Sequence, residues 1–117
     1  MCGMTGFWQR HGGAQDALLA QARAMSARLS HRGPDDSGEW CDEAVGVALA
    51  QRRLSILDLS PAGHQHMHSA DGRYVIVFNG EIYNHLDLRE RLRAEHVAPP
   101  WRGHADTETL LACFAAW

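Results

Sequence analysis

The run Tyr74-Val75-Ile76-Val77-Phe78, followed directly by Asn79-Gly80, constrains the fold of this chain more than any other segment. An apolar stretch that does not alternate predicts a strand over residues 74–78 that is buried on both faces. Asn-Gly is a strong hairpin signal, and Glu81-Ile82-Tyr83 beyond it supplies a return strand. Both faces of such a strand need cover, which the rest of the chain must provide.

Residues 4–8 and 45–50 read as further strands, and 54–59 as another that Ser60-Pro61-Ala62-Gly63 ends. Leu18, Ala22, Met25 and Leu29 recur at helical spacing, predicting an amphipathic helix over 14–29. Glycines and proline make His31-Arg32-Gly33-Pro34-Asp35-Asp36-Ser37-Gly38 a loop. Residues 85–95 predict a charged helix with Leu86, Leu88 and Leu92 inward. Asp106 reads as the N-cap of a last helix carrying Leu110, Leu111, Phe114 and Trp117. Strands mixed with segregated helices predict an α+β fold with an antiparallel sheet. The last helix reaches the final residue without a C-cap, so the chain is expected to be cut from a longer one. Uncovered sheet edges and the apolar Phe114 and Trp117 then predict self-association into homo-oligomers.

At 117 residues the chain is one small domain or part of a larger one. Its 45% hydrophobic and 21% charged residues suit a globular core. A net charge of −3, with eight histidines, offers no basic field, so no nucleic-acid partner is expected. All eleven basic residues are arginine, whose fork suits bidentate carboxylate binding. No stretch approaches about eighteen consecutive apolar residues, so no membrane partner is expected. Three cysteines (Cys2, Cys41 and Cys113) without C-x-x-C spacing indicate neither a disulfide framework nor a zinc knuckle. A reduced, cytoplasmic setting follows, in which a thiolate nucleophile survives.

Cys2 is the candidate nucleophile. Removal of Met1 would leave it with a free α-amine, and such an amine titrates at roughly 7.7–8.0. Thiol and general base would then share one residue. The same residue also fits a small buried hydrophobe near a chain end.

Four segments act with Cys2: H-R-G-P-D-D-S-G (31–38), Q-R-R-L-S-I-L-D-L-S (51–60), F-N-G-E-I-Y-N-H (78–85) and G-H-A-D-T-E-T-L-L (103–111). With the M-C-G start they resemble the glutaminase domain of glutamine-hydrolysing asparagine synthetases, among the N-terminal-nucleophile (Ntn) class II amidotransferases. The resemblance runs from Met1 to the last helix, and five segments in order make it specific. It implies a type-2 glutamine amidotransferase domain over 1–117, in an αββα sandwich of antiparallel sheets whose C-terminal end is missing. It places the nucleophile on Cys2 and the oxyanion hole on Asn79 and Gly80. Arg53 falls where the α-carboxylate of glutamine is bound, and its guanidinium fork suits that task. Ile56 and Leu57 match backbone contacts to substrate. Glu81 and Asp106 match the carboxylates that hold the α-ammonium. Without the resemblance, Arg52-Arg53 reads as a solvated rim, Asn79-Gly80 as a type I′ turn and Asp106 as a helix cap. Two carboxylates and one arginine are what a free amino acid requires.

The chain departs from the family pattern at Ala50-Gln51, where Gly-His is usual, at His66 for Pro and at Ala105 for Ser; none is a catalytic position. His64-x-His66-x-His68 raises a metal reading, but its Pro/Gly-flanked setting lacks a cysteine or paired carboxylate, and no metal is expected. No cofactor is expected in this chain. ATP and Mg²⁺ belong to the synthetase domain that follows in the family, whose Ser-Gly-Gly-x-Asp-Ser loop does not occur here. The implied reaction is glutamine to glutamate plus ammonia, the ammonia passing to a β-aspartyl-adenylate to give asparagine. Two alternatives stand beside it: a class II amidotransferase with a different acceptor, and a non-catalytic binding module that retains Met1.

Overall fold

In a computed structural model that describes residues 3–33, 36–53 and 66–117, strand β1 (Gly3–Trp8) pairs antiparallel with β3 (Val47–Arg53). Strand β2 (Asp36–Asp42) pairs with the other edge of β3, giving the order β1-β3-β2. These elements belong to the first of two compact units, Met1–Ser55 and Ile56–Trp117. Helix α1 (Gln15–Ala27) covers one face of the sheet, with buried Leu18 and Ala22 against Ala48 and Ala50, and Phe7 and Cys41 packed beside them. Side chains alternate along a strand, so Ala48, Ala50 and Arg52 share the helix-covered face while Val47, Leu49, Gln51 and Arg53 share the other.

Helix α1 matches the predicted 14–29 closely, but Ser26 is buried where Met25 and Leu29 are only half-buried. The predicted loop over 31–38 is corrected at Asp36, Ser37 and Gly38, which are strand. Their backbone pairs with Arg53, Arg52 and Gln51, and that ladder overrides the turn character of Asp-Ser-Gly. Strand β3 starts later than predicted because Val45 sits in the β2–β3 turn. There Asp42 Oδ1 accepts the N–H groups of Ala44 at 3.0 Å and Val45 at 3.4 Å. The predicted strand at 54–59 lies outside the described residues.

The second unit holds a short hairpin, β4 (Met67–His68) paired with β5 (Val75–Ile76), and helices α2 (His85–Ala94) and α3 (Asp106–Ala116). The predicted strand 74–78 shrinks to Val75–Ile76, and residues 74–78 are half-buried, not enclosed on both faces. The predicted hairpin through Asn79-Gly80 is not formed. A type I′ turn needs positive φ at both central residues, and neither Asn79 nor Gly80 has it. The chain turns instead at Asp71-Gly72, with Gly72 at φ 75°. Ser69 N–H donates to Tyr74 O at 2.9 Å, and Asp71 Oδ1 accepts the Ser69 hydroxyl at 2.6 Å and the Arg73 N–H at 3.1 Å.

Just beyond α2, His96 has a φ of 59°, in the left-handed region, and closes the helix. Val97 N–H returns to Leu92 O at 3.0 Å and His96 N–H to Arg93 O at 3.0 Å, the paired bonds of a Schellman close. Leu92 is fully buried and Leu88 half-buried, whereas Leu86, predicted inward, is 66% exposed. Buried Met67, Ala105 and Leu111 form the local core with Tyr74 and Ile76. Phe114 and Trp117, expected to lack cover, are 68% and 54% exposed, and each touches an earlier element along one edge. The Phe114 ring meets Tyr74 edge to face at 5.0 Å, and Trp117 Nε1 donates to Glu95 at 2.8 Å beneath the Arg91 guanidinium. The class is α+β with antiparallel sheets. Among the described residues no helix is long and apolar enough to cross a membrane.

Candidate active site

In the first unit, two glycines bring the chain into close contact at one end of the sheet. Gly3 pairs with Arg52 and packs so tightly that a β-carbon on it would lie 3.1 Å from Leu29 Cβ. Gly33 lies against the peptide joining Arg52 to Arg53, where a β-carbon would sit 2.4 Å from both Arg52 C and Arg53 N. No side chain fits there, so Gly33 is required by the close approach rather than by its dihedrals. Arg52 Nε donates to Gly33 O at 3.2 Å. Arg52 is therefore half-buried and engaged, which corrects its reading as a solvated rim. Arg53, at the end of β3, is only 9% exposed although it lies on the face that α1 does not cover. Asp36 sits directly across from it in register. A buried guanidinium on a strand end suits a carboxylate partner far better than a solvated rim does.

In the second unit, Asp106 is the first residue of α3 and is 5% exposed. It does not cap its own helix, as the sequence alone suggested; Ala105 holds the N-cap position without a side-chain bond. Its Oδ2 instead accepts the N–H of Ile82 at 2.8 Å. This pins the Asn79-Gly80-Glu81 segment, all three residues exposed, to the start of α3. A carboxylate has about four lone-pair sites, so Asp106 retains capacity for an ammonium ion.

The backbone leading into α3 is gripped from both sides. Buried Glu108 accepts the N–H groups of Arg102 at 2.8 Å and Gly103 at 3.0 Å, a carboxylate at a helix N-terminus where the dipole favours it. From α2, Arg89 donates Nη1 to Gly103 O at 2.9 Å, Nη2 to Ala105 O at 3.0 Å and Nε to Thr109 Oγ1 at 2.7 Å. Its guanidinium lies 4.0 Å from the Trp101 ring centre. Burial lowers the Arg89 pKa, and the Glu108 carboxylate partly offsets that.

Of the predicted site residues, Cys2, Ile56 and Leu57 lie outside the described residues. Asp106 bonds the Ile82 N–H, next along the chain from Asn79-Gly80-Glu81, and Arg53 stands at the end of β3 in the other unit. The remaining cysteines are poorly suited to nucleophilic attack. Burial raises the Cys41 thiol pKa, with Glu43 and Asp42 adding to it, and burial raises that of Cys113 as well. Sequence reasoning missed Gly33, Arg89 and Glu108 as site-building residues. Glu108 carried a usable signal, an acidic residue at the third position of a helix; Arg89 carried none beyond its place on a charged helix.

Residues 1–117 match the family model described as a glutamine amidotransferase domain, and the chain belongs to that family. It is 42% identical over 115 residues to asparagine synthetase (glutamine-hydrolyzing) 1 of Bacillus subtilis, covering 97% of this chain and 17% of that protein. Asparagine synthetase (glutamine-hydrolyzing) 3 of the same organism is 37% identical over 128 residues, covering 100% of this chain and 18% of that protein. Amidase chry2 of Gibberella zeae is 33% identical over 122 residues, covering 97% and 18% respectively. The chain thus spans under a fifth of the length of these relatives.

Proposed function

We propose that this domain, an Ntn-type αββα glutaminase, hydrolyses glutamine to glutamate and ammonia for a longer, asparagine-synthetase-like enzyme. The Cys2 α-amine accepts the thiol proton, and the thiolate sulfur bonds to the side-chain amide carbon. Asn79 and the Gly80 N–H hold the resulting oxyanion, a contribution typically worth about 2.7–4 kcal/mol per donor. The C–N bond breaks, ammonia leaves with the proton from the amine, and water hydrolyses the γ-glutamyl thioester. Arg53 takes the α-carboxylate, Glu81 and Asp106 the α-ammonium, and Ile56 and Leu57 supply backbone contacts. Ammonia then meets an aspartyl-adenylate in the synthetase part of the longer protein, where ATP and Mg²⁺ act. A reducing cytoplasm keeps the Cys2 thiol free.

The observation that carries this reading is the buried Arg53 at the end of β3, beside the Gly3–Arg52 pair one peptide bond from Cys2. The test is kinetic. Cys2→Ala should abolish glutamine-dependent turnover in the enzyme that carries this domain and leave ammonia-driven turnover intact. Arg53→Ala should raise KM for glutamine far more than it lowers kcat, because the charge pair forms on binding and persists in the transition state. Unchanged KM with collapsed kcat would refute that role.

A further inference from the structure

We propose that Arg89 is the positioning residue of the glutamine site, fixing where α3 begins and hence where the Asp106 carboxylate meets the Asn79-Gly80-Glu81 segment. The inference rests on the glutamine-site reading above and concerns a residue that touches none of the reacting atoms.

Asp106 can hold Ile82 only if the turn before α3 is set to a few tenths of an ångström, since the bond between them is 2.8 Å long. That turn has no side-chain cap of its own, because Ala105 stands at the N-cap. Its carbonyls need donors from elsewhere, and Arg89 provides them to Gly103 and Ala105 on either side of His104. The Nε bond to Thr109, which is 0% exposed, ties the same guanidinium to the next turn of α3. Glu108 holds the N–H side of the segment while Arg89 holds the C=O side, and Gly103 is bonded by both. Only a planar guanidinium reaches these three acceptors together; a lysine ammonium of similar length is a single point and cannot. The Trp101 ring face, its centre 4.0 Å from the guanidinium carbon, adds a cation–π attraction that favours this position.

The test uses the protein that carries this chain, with Arg89→Lys and Thr109→Val, and Arg93→Gln as a control at an exposed α2 ion pair with Glu90. Two reagents report on Cys2. A glutamine-mimicking diazoketone must be recognised as an amino acid before it alkylates, whereas iodoacetamide reads thiol reactivity alone. Arg89→Lys should slow diazoketone labelling about tenfold or more, the scale of one charged hydrogen bond. Iodoacetamide labelling and the circular dichroism spectrum should stay as in the parent. Thr109→Val should slow diazoketone labelling less, and Arg93→Gln should change neither rate. Parental diazoketone labelling in a folded Arg89→Lys protein would overturn the proposal. Loss of fold in both Arg89→Lys and Thr109→Val would overturn it too, by making the residue a structural one. A parent protein that reacts with iodoacetamide at Cys2 but never with the diazoketone would refute the glutamine-site reading itself.

Discussion

Asp106 Oδ2 accepts the backbone N–H of Ile82 at 2.8 Å, joining the first residue of α3 to the segment just after Asn79-Gly80-Glu81. One carboxylate therefore has two duties in the proposed site: it holds the loop and faces the substrate ammonium. The two are separable, because an amide oxygen can replace the first and only a charge can supply the second.

Asp106→Ala should lower unfolding free energy by about 1–3 kcal/mol, the cost of leaving a partly buried N–H without its acceptor. Asp106→Asn should recover most of that stability in a denaturant titration while still losing glutamine affinity. Equal affinity in the Asn variant and the parent would remove Asp106 from ammonium binding.

Gly33→Ala should destabilise by about 1–3 kcal/mol, since a β-carbon 2.4 Å from the Arg52–Arg53 peptide forces β3 to move. The displaced peptide carries Arg53, so KM for glutamine should rise in parallel. A Gly33→Ala protein with parental melting and parental KM would show that β3 accommodates the methyl group without moving Arg53.

Mass-spectrometric labelling with iodoacetamide near neutral pH should modify Cys2 well before Cys41 or Cys113. Both of the latter titrate above the ordinary thiol value of 9.0, leaving little thiolate at pH 7.5. Raising the pH past 9 should narrow the difference. Preferential labelling of Cys113 at neutral pH would contradict the assignment of Cys2.

The β4–β5 turn should loosen in acid. The Ser69 hydroxyl, then the Arg73 N–H, holds the Asp71 carboxyl below its ordinary value of 3.8. A depressed carboxyl stabilises the folded turn above that value, and the contribution is lost as pH falls through the lower folded value. Amide NMR shifts of Gly72 and Arg73 should therefore titrate below pH 3.8, with Asp71→Asn flat over the same range. A midpoint above 3.8 would reverse the sign.

Helix α1, strand β1 and both later helices were legible because their signals are local: apolar residues at helical spacing, and a charged face along residues 85–94. The failures share one cause. Asp36-Ser37-Gly38 has turn composition but becomes β2, because β3 offers its backbone a complete set of partners. Asn79-Gly80 and Asp71-Gly72 carry nearly the same hairpin signal. The Ser69 hydroxyl, bonded to Asp71 and accepting the Tyr74 N–H at 3.0 Å, closes the second turn, while Asp106 draws the Asn79-Gly80 segment away from any return strand.

The order of motifs along the chain was enough by itself to identify the family, since five short segments in sequence are read without knowing how they pack. The same letters indicated which residue types would be needed: a thiol beside an amine, an arginine for a carboxylate, acids for an ammonium. Tertiary structure alone decided that Gly33 lies against the Arg52–Arg53 peptide, that Asp106 bonds to Ile82 instead of capping α3, and that Arg89 holds the turn between α2 and α3. Each is a contact between residues fourteen or more apart. Its energy depends on desolvation and on angles set by the packed elements, and neither quantity is written in a local stretch of sequence.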